Sequence, residues 1–181
     1  MGRPAHASLN LKAKWSTPAA ASTVSNSSDV TTPPLTTRRA VDDDAPRIVA
    51  LLAQLGYDTP LEIVLRNIAL SAANGDDAAF VAVDENGQIV GCMGLHALTM
   101  FHLAGRLGRI TALVVEENVR GSGVGHALMA AAHAWFIERG CEKFEVTSSD
   151  HRVAAHRFYA RHGYARDGQR LARKSQTSSL T

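Results

Sequence analysis

From about Thr36 onward the apolar positions recur with the periods of helices and strands. Thr36–Val41 reads as a short strand, and Asp42–Asp44 then sets acidic side chains and an N-cap ahead of a helix, where the helix dipole favours them. That helix is predicted to run to about Leu55, with Ile48, Leu51, Leu52 and Leu55 on one face, and Gly56 stops it. Leu61, Val64, Leu65 and Ile68 predict a second helix over about Leu61–Ala73. Ala79–Val83 and Gln88–Leu95 alternate as strands, and the Asn86-Gly87 step between them signals a hairpin. Arg109–Val115 is a nearly unbroken apolar strand, which implies burial on both faces.

Beyond a glycine-rich turn, Val124, Leu128, Ala131, Trp135 and Phe136 form the stripe of a helix from about Val124 to Arg139, closed by Gly140. Lys143–Thr147 is strand-like, Asp150–His162 reads as a last helix closed by Gly163, and Tyr164–Lys174 is expected to return as a final strand. The order β-α-α-β-β-β-α-β-α-β is an α/β (α+β) pattern, a mixed sheet with helices on both faces rather than a regular Rossmann alternation. There is no internal repeat.

Composition narrows this only a little. The chain has 181 residues, a formal charge of +2, 45% hydrophobic and 20% charged residues. That is ordinary globular usage, and the charge does not call for a nucleic-acid partner. Residues 1–35, rich in Ser, Thr, Ala and Pro and without a sustained apolar period, are expected to be a disordered or loosely ordered tail. Residues 36–174 are expected to form the domain, and residues 175–181 a second tail. Cys92 and Cys141 each sit in or beside an apolar run and read as core thiols, which favours a reducing, cytoplasmic setting. No window has the roughly 18 apolar residues of a membrane span, so no membrane association is expected. The eight histidines show no compact ligand spacing, and no metal is expected.

The turn Arg120-Gly121-Ser122-Gly123-Val124-Gly125 joins the buried strand to a helix. Clustered glycines let backbone approach a ligand closely. The first amides of a helix lack internal partners and, with the dipole, form an anion site suited to a diphosphate. The P-loop needs Gly-Lys-Ser/Thr here, but Gly125 is followed by His126; the dinucleotide fingerprint needs a glycine at position 126, which is absent. Taken alone, the six residues fit a diphosphate site or a tight turn without a ligand.

Arg120-x-x-Gly123-x-Gly125 after a strand ending Leu113-Val114-Val115 resembles the acetyl-CoA motif of the GNAT superfamily of N-acetyltransferases. Ala155-His-Arg-Phe-Tyr159-Ala-Arg-His-Gly-Tyr164 resembles that family's closing helix, and Leu55-Gly-Tyr57 and Val90-Gly91 also fit. The likeness spans about residues 36–174. It implies a mixed, mostly antiparallel sheet and an acyltransferase that moves acetyl from acetyl-CoA directly to a primary amine of a small molecule or protein. The amides of Arg120, Gly121, Ser122, Gly123, Val124, Gly125 and His126 would hold the pyrophosphate. Leu113, Val114 and Val115 would pair with the pantetheine arm, with the amide of Val114 or Val115 polarising the thioester carbonyl. Tyr159 would protonate the leaving thiolate. Family members that dimerise through late strands make a homodimer compatible with this reading. The segment from Ser148 to Tyr159 also resembles members described as aminoglycoside 6′-acetyltransferase-like.

Two positions depart from the family pattern. Many members carry an acid early in the central strand as general base, whereas Arg109-Ile-Thr-Ala112 has none. Glu116 and Glu117, in the turn, are expected to face solvent. The asparagine that often precedes the last helix is replaced by Arg152. A lysine-like amine with a pKa near 10.4 costs about 4.6 kcal/mol to neutralise at pH 7, so a base or a water chain to one is useful. His96 and Glu145 are the candidates. The missing strand acid also motivates an alternative function, a non-catalytic acetyl-CoA-binding module of the same fold.

Overall fold

The computed structural model describes residues 35–173. The tails expected over 1–35 and 175–181 lie outside the described residues, Leu35 excepted. In chain order the elements are β1 (Thr36–Arg39), α1 (Ala45–Gln54), α2 (Leu61–Ala73), β2 (Asp77–Val83), β3 (Ile89–Thr99), β4 (Arg106–Val115), α3 (Val124–Glu138), β5 (Cys141–Val146) and α4 (Val153–Arg161). Single 3-10 turns at Asp42–Asp44 and Glu117–Val119 precede α1 and the glycine turn.

The sheet runs β1-β2-β3-β4-β5. The first four strands are antiparallel, and β5 joins β4 in parallel after the crossover through α3. Because strand side chains alternate, the sheet buries two cores. One face holds Met93, Leu95, Ala97 and Ile110 beneath Leu128, Met129, Ala132 and Phe136 of α3. The other packs Val81, Cys92 and Val114 against Ile48 and Leu51 of α1 and Val64 and Ile68 of α2. Both cysteines are buried and free, and burial pushes the Cys92 thiol up to about 12.

The hairpin turn is built by one side chain. Asp84 accepts hydrogen bonds at Oδ1 from the amides of Asn86 (2.9 Å) and Gln88 (2.8 Å), while its carbonyl accepts from Gly87 (3.1 Å). The final strand expected over Tyr164–Lys174 does not form among the described residues: Ala165–Arg173 is exposed throughout and has no strand. Arg166-Asp167-Gly168-Gln169-Arg170 offers no alternating apolar face, so pairing there would bury almost nothing.

Asp44 anchors the start of α1. It is only 4% exposed and accepts from Arg38 at 2.6 and 2.9 Å and from the Val41 amide at 2.9 Å. The Arg38 hydrogen bond, with help from the Val41 amide, holds this carboxyl below its ordinary value against the opposing effect of burial. A depressed folded-state pKa contributes stability above the unfolded value of about 3.9, and that stability is lost as pH falls through the folded value. Asp44→Asn is therefore expected to lower Tm at pH 7, with the gap to wild type narrowing below about pH 4. Circular-dichroism melts from pH 7 to 3 check this; a gap of constant size would assign the effect to lost neutral hydrogen bonds instead.

Candidate active site

β4 changes character halfway along. Gly94 pairs with Ala112 and Leu95 with Ile110, so Thr111 is an extra residue bulged out of the β3–β4 ladder. A Cβ on Gly94 would lie 2.6 Å from Thr111 Oγ1, which is why the partner strand has a glycine there. On the other side, pairing with β5 ends at Ile110↔Val146. Past that point Leu113–Val115 has a neighbour on the β3 side only. Thr111 is exposed and Ala112, Leu113 and Val115 are half-buried, so the expected burial on both faces does not extend to this end.

Backbone alternation sorts the remaining amides. The Glu116 amide donates to the Val90 carbonyl at 2.9 Å, and the Val114 carbonyl lies 3.0 Å from where a Gly91 Cβ would be. Residues 114 and 116 thus direct their backbone groups at β3. Leu113 and Val115 direct theirs away from it, toward the side that β5 has left.

The glycine turn lies at the end of this edge. Gly121 and Gly123 have φ of +90° and +93°, conformations that side chains with a Cβ rarely adopt. Gly123 is the N-cap of α3 and no side chain caps the helix. The first bond into the helix is from the Ala127 amide to the Gly123 carbonyl (3.0 Å). The amides of Val124, Gly125 and His126 have no partner among the described residues, leaving the positive end of a 15-residue helix open. Gly125 has a further constraint: a Cβ would sit 3.0 Å from the Phe158 ring and 3.7 Å from Val115. Strand end, helix start and α4 therefore meet at this residue. The exposed Ser122 hydroxyl donates to the Val119 carbonyl at 2.7 Å, and Arg120 Nε donates back to the Val115 carbonyl at 3.2 Å.

Tyr159 lies on α4 next to Phe158, ring centroids 5.3 Å apart, and 5.9 Å from Tyr164. It packs against the core on the α3 face. Burial raises its hydroxyl pKa, with nearby Arg152 pulling the other way, so the phenol keeps its proton at neutral pH. Arg152 is the N-cap residue of α4 and donates from Nη2 to the Leu55 carbonyl at 2.6 Å. This ties the last helix to the end of α1.

On the α1/α2 face a cavity of about 330 Å³ opens between the two helices and the sheet. Apolar side chains dominate its lining; Thr59, Asn67, Ser71, Asp77 and Thr111 supply the polar groups, and neither Lys nor Arg is present. It reaches Gly94, Thr111 and Ala112, so it extends up to the bulge. Below the bulge a polar row crosses four strands: Asp77 pairs with His96, His96 with Arg109, and Arg109 with Glu145. His96 Nδ1 lies 2.6 Å from Asp77 Oδ1, and Arg109 Nε donates to Glu145. The two base candidates thus belong to one row, which the sequence could not reveal because their partners lie 19 and 36 residues away.

Glu117 is exposed as expected, but Glu116 is not solvent-facing. Its carboxylate accepts from Gln54 (2.7 Å), Arg47 (2.5 Å) and the Glu117 amide (3.0 Å). The Gln54 bond, followed by those from Arg47 and Glu117, lowers its pKa. It fastens α1 to the end of β4, a tertiary role that local pattern does not show. Among the described residues no group of side chains could hold a metal ion, and no helix is long and apolar enough to cross a membrane.

A one-sided strand edge leading to an open helix N-terminus suits a ligand with an extended, amide-bearing arm and a diphosphate. The chain belongs to the Acetyltransferase (GNAT) family, whose sequence profile matches residues 46–164, and is an N-acetyltransferase by class. It is 30% identical over 127 residues to the aminoalkylphosphonate N-acetyltransferase of Salmonella typhimurium, covering 70% of this chain and 82% of that one. It is 30% identical over 124 residues to the aminoglycoside N(6′)-acetyltransferase type 1 of Stenotrophomonas maltophilia, covering 67% and 80%. An aminoglycoside N-acetyltransferase solved in complex with CoA superposes with a TM-score of 0.70 at 16% identity, over 80% of this chain and 96% of that one. The expected fold class holds, a mixed, mostly antiparallel sheet with helices on both faces, with five strands among the described residues rather than the six expected.

Proposed function

We propose that residues 36–174 form an acetyl-CoA-dependent domain that moves acetyl directly onto a primary amine. The observation that carries this is the Leu113 backbone and the Val115 amide, left without a strand neighbour beside the uncapped start of α3. In this reading the diphosphate is received by the free helix-start amides of Val124, Gly125 and His126 with the turn at Gly121 and Gly123 beside them, while the Arg120 and Ser122 amides, expected to take part, already donate to the carbonyls of Glu117 and Val119 at 3.3 Å. The pantetheine arm adds as a short strand along Leu113–Val115. Val115 or its alternate neighbour Leu113, rather than Val114, polarises the thioester carbonyl, because the Val114 backbone is turned to β3. Tyr159 gives its proton to the departing sulfur. The free buried thiols of Cys92 and Cys141 suit a reducing compartment such as the cytoplasm.

The cavity beside the bulge is the acceptor site in this reading. A lining with one carboxylate, no cationic side chain and mostly apolar walls favours a singly charged amine with an apolar body. It disfavours an aminoalkylphosphonate, whose anionic group finds no partner there, and a polycationic aminoglycoside, which needs several acids. Release of free CoA thiol across a panel of alkyl- and arylalkylamines, aminoalkylphosphonates and aminoglycosides tests this. Tyr159→Phe is expected to keep acetyl-CoA binding and to lower kcat about 10- to 100-fold; an unchanged rate across the pH range would remove Tyr159 from the acid role.

One departure favours a second reading. The early part of the central strand, Arg109–Ala112, has no acid where many members of the family carry one, which fits a module that binds acetyl-CoA without turnover. Cofactor binding with no thiol release from any amine would support that reading.

A further inference from the structure

We propose that His96, oriented by Asp77, is the general base that removes the proton from the acceptor amine. The inference rests on the acetyl-transfer reading above. Its starting point is that β4 has no acid of its own and carries a cation, Arg109, so the base comes from another element.

Three carboxylates and one imidazole compete for the role. Glu116 is held by Arg47, Gln54 and a backbone amide, which favours its ionised form and weakens it as a base. Glu145 is occupied by the Arg109 guanidinium. Asp77 has both oxygens engaged, Oδ1 by His96 Nδ1 (2.6 Å) and Oδ2 by Asn74 Nδ2 (2.7 Å). Asn74 Oδ1 in turn accepts from the Asp77 amide at 2.8 Å, so this carboxylate is fixed from two directions. It holds the proton of His96 on Nδ1 and leaves Nε2 as the acceptor, with no partner for Nε2 among the described residues. A carboxylate that sets an imidazole's tautomer and stabilises its cation is a general arrangement for a histidine base.

His96 also sits on the correct face. Met93, Leu95 and Ala97 point into the core under α3, while Cys92 packs under α1 and α2. Gly94 and His96 alternate with Cys92 and share its side, the side of the cavity. Asp77 lines that cavity together with the bulge residues Thr111 and Ala112. The ring is half-exposed, so water reaches it. The charged groups around it are Asp77 from β2, Arg109 from β4 with Glu145 of β5, and the Asp76–Arg106 pair (2.7 Å), whose arginine also donates to the Ala97 carbonyl.

The proton balance closes. The ammonium gives one proton to His96 Nε2, directly or through water, and the neutral nitrogen attacks the thioester carbon. The new C–N bond forms as C–S breaks. Tyr159 protonates the sulfur and recovers a proton from the amide nitrogen, and protonated His96 returns its proton to solvent. The products are the acetamide, CoA thiol and one released proton.

The test is kcat/KM from pH 6 to 10 for wild type, His96→Gln, Asp77→Asn and Glu145→Gln, with acetyl-CoA binding measured in parallel by thermal shift. His96→Gln is expected to bind acetyl-CoA normally and to lose about 100-fold in kcat/KM at pH 7. Its deficit should shrink as pH approaches the amine's own pKa, where no base is needed. Asp77→Asn should lose about 10-fold, because the imidazole loses the acceptor that fixes its tautomer. A His96→Gln profile within twofold of wild type, or loss of the acidic limb in Glu145→Gln instead, would overturn the assignment while leaving acetyl transfer intact. Absence of transfer by wild type with every amine would overturn the underlying reading, and this one with it.

Discussion

Gly123→Asp is expected to abolish the thermal stabilisation that acetyl-CoA gives the wild-type protein. At a concentration about 100 times its Kd, a ligand that binds only the folded state adds about 2.7 kcal/mol, roughly 5 to 10 °C for a chain of this size. The new carboxylate would sit at the N-cap of α3, facing the amides of Val124, Gly125 and His126 that lack other partners. It would both occupy those donors and repel the diphosphate. No atom lies within 4 Å of the position of a Gly123 Cβ, so the side chain fits sterically. The strain comes from the φ of +93° alone. Gly123→Ala carries that strain without the charge and is the matched control. Stabilisation lost in the aspartate variant but largely kept in the alanine variant assigns the effect to the anion site. Equal loss in both assigns it to the turn's conformation, and full retention in both removes the diphosphate site from this turn.

The largest stability effect is expected from Phe136→Ala, about 3 to 5 kcal/mol. Phe136 is fully buried and lies where α3 crosses β4 and β5. A Cβ on Gly108 would be 2.5 Å from its ring, so the strand backbone itself forms one wall of its pocket. Phe144 and Trp135 stack around it at 5.1 and 5.5 Å. Walls made of backbone and aromatic rings collapse poorly into a vacated space, which places the cost in the upper part of the usual range. Urea unfolding at pH 7 measures it. A loss below about 1 kcal/mol would mean that the site relaxes far more than this packing allows.

The elements that the sequence reveals are those whose own side chains decide them. α2 has the bounds its apolar spacing predicts, and the stripe of Val124, Leu128, Trp135 and Phe136 lies on the sheet as expected. The glycine turn is legible for the same reason, since positive φ at Gly121 and Gly123 is a property of local residue type. What the sequence hides is set by pairing. The Thr111 bulge exists because two strands slip by one residue, and nothing in Arg109-Ile-Thr-Ala112 marks it. The link between His96 and Asp77 depends on the β2–β3 register. Glu116 reads as a turn residue until Arg47 and Gln54 of α1 are brought to it. The final strand expected over Tyr164–Lys174 has no alternating apolar pattern behind it, and among the described residues it does not form.

The hydrogen bond from Arg152 to the Leu55 carbonyl joins residues 97 positions apart. One end caps the helix that bears Tyr159; the other begins the loop leading to Thr59, on the wall of the cavity proposed to take the acceptor. It is a direct link between the start of α4 and the loop that follows α1. If cofactor binding fixes α4 and thereby favours one arrangement of the loop, an acceptor that prefers that arrangement must tighten the cofactor by the same factor. Such coupling is reciprocal, so it would show as each substrate tightening the other, whichever arrives first.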